Sequence, residues 1–168
     1  MLMIFNFLSY LKFELSNTIL LLIRRYKTFL FMKKSNSSIS LDAVATGGWD
    51  NVNIGKDTRI NSNFNLRNKK GQLKIGQNCL IASKVTIIVN SYDILQKKIS
   101  IKNMKHSFVS IGNNVLIGTN SVIMPGIEIG EGAVIGANSV VTKNIAPFSV
   151  CAGNPARKLY SRFTNDSK

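Results

Sequence analysis

The feature that most restricts the fold is an aliphatic residue that returns at every sixth position. The series runs Ile54, Ile60, Leu66, resumes after a short insertion at Ile75, Ile81, Ile87, and after a longer one at Ile111, Ile117, Ile123, Ile129, Ile135, Val141. A six-residue period matches neither the 3.6-residue turn of a helix nor the alternation of a hairpin sheet. It fits an all-β solenoid, a parallel β-helix in which three short strands close one triangular coil of about 18 residues and each coil bonds to its neighbours. The aliphatic residue then points into the prism. Gly often follows it, as at Gly55, Gly76, Gly112, Gly118, Gly130 and Gly136, where a corner would use its conformational freedom. Four residues after the aliphatic one come Thr58, Cys79, Val85, Ser91, Val115, Ser121, Ala133 and Ser139. These small or apolar residues are expected at a second inward position of a narrow interior.

The breaks in the series locate the insertions. Ile54 to Ile75 is one coil plus three residues, with Lys69–Gly71 as the expected excursion. Ile75 to Ile111 is two coils' length of chain for one coil of register. Residues 92–108 are therefore expected to leave the solenoid as a loop, and loops of that length usually carry function. The domain reading is a helical segment and linker over 1–40, the β-helix over 41–158 with its loop at 92–108, and a cap and tail over 159–168. A short C-terminal helix, Leu159–Phe163, is expected to close the open end.

Before the repeat, Ile4, Leu8, Leu11, Leu15, Ile19, Leu22, Tyr26 and Phe29 recur at helical spacing. One or two helices are expected between residues 2 and 33, with Arg24, Arg25, Lys27, Lys33 and Lys34 at their end. Two readings stay open. The segment 1–34 is a surface helix on an anionic membrane, or its stripe packs on the body of the protein or on another subunit. Charges interrupt every apolar run before it reaches the roughly 18–20 residues of a spanning helix. The apolar residues precede the basic ones, the reverse of a signal peptide, so a cytoplasmic protein is expected, peripheral to the inner membrane face on the first reading.

The net charge is +14 over 168 residues. That favours anionic partners, although abundant Lys and Asn on a solvated surface give the same balance. No basic–aromatic module marks a nucleic-acid binder, and no nucleotide-binding or serine-hydrolase motif stands in its required context. Cys79 and Cys151 lie in separate repeats without metal-ligand spacing, and His106 is the only histidine. One chain cannot assemble the several His or Cys ligands of a zinc site, so no metal is expected.

The stretch SIGNNVLIGTNSVIMPGIEIGEGAVIGANSVVTKNIAPFSVCAGNPARKLY closely resembles the hexapeptide-repeat O-acetyltransferases of the galactoside, maltose and polysaccharide type. The resemblance covers about Val52 to Tyr160, and IGANSVVTK and AGNPARK are its most specific pieces. It implies a left-handed β-helix, a homotrimer, and acetyl-CoA bound between neighbouring prisms as acyl donor. It also implies that Thr119, Ala137, Thr142, Lys143, Asn154 and Arg157 contact acetyl-CoA. Lys143, Arg157 and Lys158 supply the cations that the phosphates of CoA require.

The implied reaction is acyl transfer from a thioester to a sugar hydroxyl, in the synthesis of a surface polysaccharide such as O-antigen or capsule, on an acceptor that the N-terminal segment allows to be lipid-linked. The hydroxyl needs a general base, and a neutral histidine suits that role. In the galactoside and maltose relatives a histidine follows the third strand of the coil before the loop, but here Tyr92 takes that position. Tyrosine is a poor base, since a free phenol ionises near about 10. Three readings follow. His106 folds back as base with Asp93 orienting it; or Tyr92 positions the acceptor or acts as an acid; or the protein binds CoA or sugar without catalysis, as a scaffold subunit. An acetyltransferase for an antibiotic or amino acid is a further alternative.

Overall fold

Inward aliphatic side chains on strands of two to four residues build a three-sided prism. The computed structural model describes residues 18–163 except 24, 29, 31, 33–36, 47, 69 and 93–103. The first coil holds β1 (Ser38–Ile39), β2 (Val44–Thr46) and β3 (Val52–Ile54); the second, β4 (Arg59–Ile60), β5 (Asn65–Arg67) and β6 (Gln72–Ile75). The third holds β7 (Leu80–Ile81), β8 (Thr86–Ile88), a side hairpin of β9 (Asn90–Tyr92) and β10 (Met104–His106), and β11 (Phe108–Ile111). The fourth holds β12 (Leu116–Ile117), β13 (Val122–Ile123) and β14 (Glu128–Ile129). The fifth has β15 (Val134–Ile135) and β16 (Val140–Val141), and its third side is a single bridge from Ile145 to Ile129. Then come β17 (Ser149–Ala152) and β18 (Arg157–Ser161).

Stacking these coils makes three parallel faces. Face A orders β1, β4, β7, β12, β15, β17; face B orders β2, β5, β8, β13, β16; face C orders β3, β6, β11, β14. Register is strict. Ile60, Ile81, Ile117, Ile135 and Cys151 stack in face A, and Leu66, Ile87, Ile123 and Val141 in face B. All twelve repeat positions are buried. The interior begins two sides earlier than the series, in the same first coil, with Ile39 under Ile60 and Ala45 under Leu66. It continues past Val141 through Ile145 and Cys151.

Seven of the eight second inward positions are buried as expected. Ser91 is the exception: it lies in β9, off the prism. Phe64, also fully buried, shows that the second coil admits a ring there. The small polar residues satisfy the backbone: Thr58 Oγ1 donates to Gly76 O at 2.8 Å and Ser121 Oγ to Gly136 O at 3.0 Å. A buried hydroxyl costs little when it meets an otherwise open carbonyl.

The glycines after the aliphatic residue do not supply the left-handed corner. That conformation falls two residues later, on Asp57, Asn63, Asn78, Lys84, Asn114, Asn120 and Asn138, with φ between 55° and 61°. Asn and Asp tolerate it better than other side chains. The glycines answer to stacking instead. A Cβ on Gly76 would stand 2.5 Å from Asn113 Oδ1 and 2.6 Å from the Gly112 carbonyl.

One expectation for the ends is corrected. The C-terminal segment is a strand, not a helix: β18 runs antiparallel to β17. The last coil leaves a strand edge with open N–H and C=O groups, and a returning strand satisfies them where a one-turn helix would not. At the other end the described residues of 18–32 are helical (α1). Thr28 is buried and Met32 packs on the core, its Sδ accepting from Ile39 N at 3.2 Å. The described residues from Ile19 to Lys27 are exposed, and burial among the described residues of α1 begins at Thr28. No helix among the described residues is long and apolar enough to cross a membrane.

Candidate functional site

The long insertion leaves the prism at the edge between faces B and C. The chain departs after β8, forms β9 and returns as β10 before β11 begins at Phe108. The prism therefore resumes at Phe108, which lies within the expected loop, and the ends of that loop are an ordered antiparallel ladder. Its register is Asn90 opposite His106, Ser91 opposite Lys105 and Tyr92 opposite Met104. Directly opposed residues share a face, and the diagonal pair lies about 7–8 Å apart. His106, Asn90 and Tyr92 thus share one face of the hairpin. His106 Nδ1 lies 3.5 Å from Asn90 Oδ1, a long contact. Tyr92 and His106 are both exposed. Asp93 lies outside the described residues, as does most of the loop.

Above the hairpin, the same edge carries Met124–Gly126 in the fourth coil and Thr142 and Lys143 after β16 in the fifth. Two strand spacings of about 4.8 Å put Lys143 about 10 Å along the prism from the hairpin's root. Gly126 fits against that root, where a Cβ would lie 3.4 Å from Ser107 Oγ.

The remaining candidates occupy the other margin of face B. Thr119 and Ala137 sit in successive corners between faces A and B. Asn138 N donates to Thr119 O at 2.9 Å, and Asn120 Nδ2 to Asn138 Oδ1 at 2.8 Å. Backbone approach is tight: a Cβ on Gly118 would stand 2.5 Å from Ala137 N. The turn of AGNPARK closes the same column. Val140 N donates to Gly153 O at 3.0 Å, and Ala156 N to Val140 O at 2.8 Å. Segment 153–156 thus binds both backbone groups of Val140 where a sixth strand of face B would lie. This holds Asn154, ahead of a cis peptide to Pro155, over Val140. Arg157 and Lys158 follow in β18, opposite Ala152 and Cys151. Burial raises the Cys151 thiol's pKa and Lys158 opposes this in part.

Thr119 and Ala137 are therefore at one margin of face B and Thr142 and Lys143 at the other, with Arg157 and Lys158 on β18 at the end of face A. From Ala137 to Lys143 the chain advances six positions, at most about 20 Å at 3.3 Å per residue. All of them are exposed. Asn90 was not singled out from sequence, because a hexapeptide count does not show an antiparallel ladder; AGNPARK was singled out, but not its turn's imitation of a strand. Arg162 was missed for the same reason: its Nη1 donates to Gly132 O at 2.8 Å and pins the returning segment.

Residues 108–143 match the bacterial transferase hexapeptide (six repeats) family model. Over 137 residues the chain is 40% identical to protein CapG of Staphylococcus aureus, covering 79% of this chain and 77% of that one. It is 42% identical over 126 residues to the polysialic acid O-acetyltransferase of Escherichia coli O1:K1, covering 73% of this chain and 40% of that enzyme. A galactoside acetyltransferase solved with coenzyme A superposes with a TM-score of 0.63 at 33% identity, covering 83% of this chain and 71% of that one. The chain spans only about half, 53%, of the galactoside O-acetyltransferase of Escherichia coli K12. The chain belongs to the hexapeptide-repeat acyltransferase family, and its prism is a left-handed parallel β-helix.

Proposed function

We propose that this protein is an acetyl-CoA-dependent O-acetyltransferase acting on a saccharide hydroxyl, with a role in surface-polysaccharide synthesis. The observation that carries the reading is the placement of His106, Asn90 and Tyr92 on one face of a hairpin, on the prism edge that also presents Thr142 and Lys143. The coenzyme A in the related structure supports the donor, and the names of the relatives support a sugar acceptor.

In this reading Lys143, Arg157 and Lys158 meet the phosphates of CoA. Thr119, Ala137, Thr142 and Asn154 line the pantetheine arm. On a single prism these groups lie apart, toward different margins of face B. The homotrimer, with the A–B edge of one copy against the B–C edge of the next, supplies the missing wall. His106 takes the proton of the acceptor hydroxyl as its oxygen attacks the thioester carbonyl carbon. The C–S bond then breaks, and the same imidazole returns the proton to the departing sulfur. Asn90 orients the ring, and Tyr92 holds the acceptor by hydrogen bonding.

The test is release of free CoA thiol from acetyl-CoA with a panel of saccharides, for the wild type, His106→Ala and Tyr92→His. Sugar-dependent release that falls at least about 100-fold in His106→Ala supports the reading, since a general base contributes 10²–10⁴. Unchanged release in His106→Ala removes that residue from the base role. An inactive wild type that Tyr92→His activates would mark a binding or scaffold subunit instead.

A further inference from the structure

The described residues 19–23 of α1 are apolar on every side of the helix and exposed. Ile19, Leu20, Leu21, Leu22 and Ile23 follow one another in the helix and are 45–59% exposed. At 100° per residue, five successive positions encircle the axis. A subunit contact needs one apolar stripe and leaves the opposite side polar; a helix apolar all round belongs in an apolar surrounding. Directly after this stretch Arg25 and Lys27 are exposed, as is Tyr26. Further along, Thr28 is buried and Met32 packs against the prism core. Apolar residues, then cations with an aromatic, then the protein body follow in that order along one helix.

We propose that this end of α1 is a membrane-docking element that inserts Ile19–Ile23 into an anionic lipid surface with Arg25 and Lys27 at the headgroups. The charge agrees: a chain of net charge +14 is drawn to anionic headgroups. Tyr26 is of the type enriched at the boundary between hydrocarbon and water. The docking brings the N-terminal end of the prism to the lipid and leaves the AGNPARK turn at its far end.

The test is flotation of the full chain with vesicles of phosphatidylcholine alone, or of phosphatidylcholine mixed with phosphatidylglycerol. Two variants accompany the wild type, Leu21→Asp with Leu22→Asp, and Arg25→Glu with Lys27→Glu. The β-sheet circular dichroism of each confirms that the prism is folded. The wild type is expected to float with the anionic vesicles and at least tenfold less with neutral ones. Each variant is expected to lose binding at least tenfold, and raised salt to weaken the wild type alone. Wild type that stays in the dense fraction with anionic vesicles overturns the proposal, as does binding that survives Leu21→Asp with Leu22→Asp. A lower oligomer mass in that variant, with no vesicle binding by the wild type, would assign the face to a second copy and also overturn it.

Discussion

Cys79 shows what the prism does to a single side chain. It occupies the second inward position of its coil, 2% exposed, and its Sγ donates to Gly112 O at 3.1 Å. Burial raises its thiol's pKa, with hydrogen bonding opposing in part. Only the thiolate is a good nucleophile, so Cys79 is expected to be inert in the folded protein. Iodoacetamide at mildly alkaline pH should label it only after denaturation, with mass spectrometry reading the site. The sign for stability follows. A thiol whose folded pKa is raised stabilises the fold below its ordinary pKa and loses that contribution as pH rises through the folded value. Labelling of Cys79 in native protein at the rate of a free thiol would show that the coils open. Near the hairpin, the sequence did identify His106 and Tyr92 as neighbours of interest. It could not pair them, because ladder register depends on backbone geometry that the repeat period does not encode.

At the scale of the coil, two kinds of corner residue divide the work. A glycine directly after the aliphatic position clears a path for the next coil's backbone, whereas the residue two further on, most often Asn or Asp, takes the left-handed angle. Their responses to substitution should differ. Gly76→Ala puts a methyl 2.5–2.6 Å from the Gly112–Asn113 segment, and overpacking of this kind costs about 1–3 kcal/mol. Asn114→Gly keeps an accessible φ of 57° and surrenders the bond from Nδ2 to Glu131 Oε1, an exposed contact worth under about 1 kcal/mol. Thermal unfolding should show a clear fall in Tm for the first and a small change for the second. The inward residues were legible in advance because the interior imposes one chemical demand every six positions. Ile39 and Ala45 escaped notice because the first coil mixes spacings and includes alanines. Ile145 escaped because it follows Val141 by four residues, not six. The C-terminal strand was misread as a helix because its backbone partner, the edge of β17, exists only after the solenoid has formed.

For the whole molecule, the division of the candidate donor-binding residues between two edges of face B is the decisive geometry. One copy presents Thr119 and Ala137 on one margin and Thr142, Lys143 and the hairpin on the other. On the proposed reading each acetyl-CoA lies between an A–B edge and the B–C edge of the next copy, so both margins must contribute to binding. The sequence named these residues through family resemblance, but their separation became visible only once the coils were stacked. The most direct measurement is calorimetric titration of the assembled protein with acetyl-CoA, for the wild type, Ala137→Glu at one margin and Lys143→Ala at the other. The account predicts saturable binding by the wild type, loss of detectable binding in Ala137→Glu and weakening of about tenfold or more in Lys143→Ala, with unfolding temperatures unchanged. An absence of wild-type binding, or binding indifferent to substitution at either margin, would contradict it.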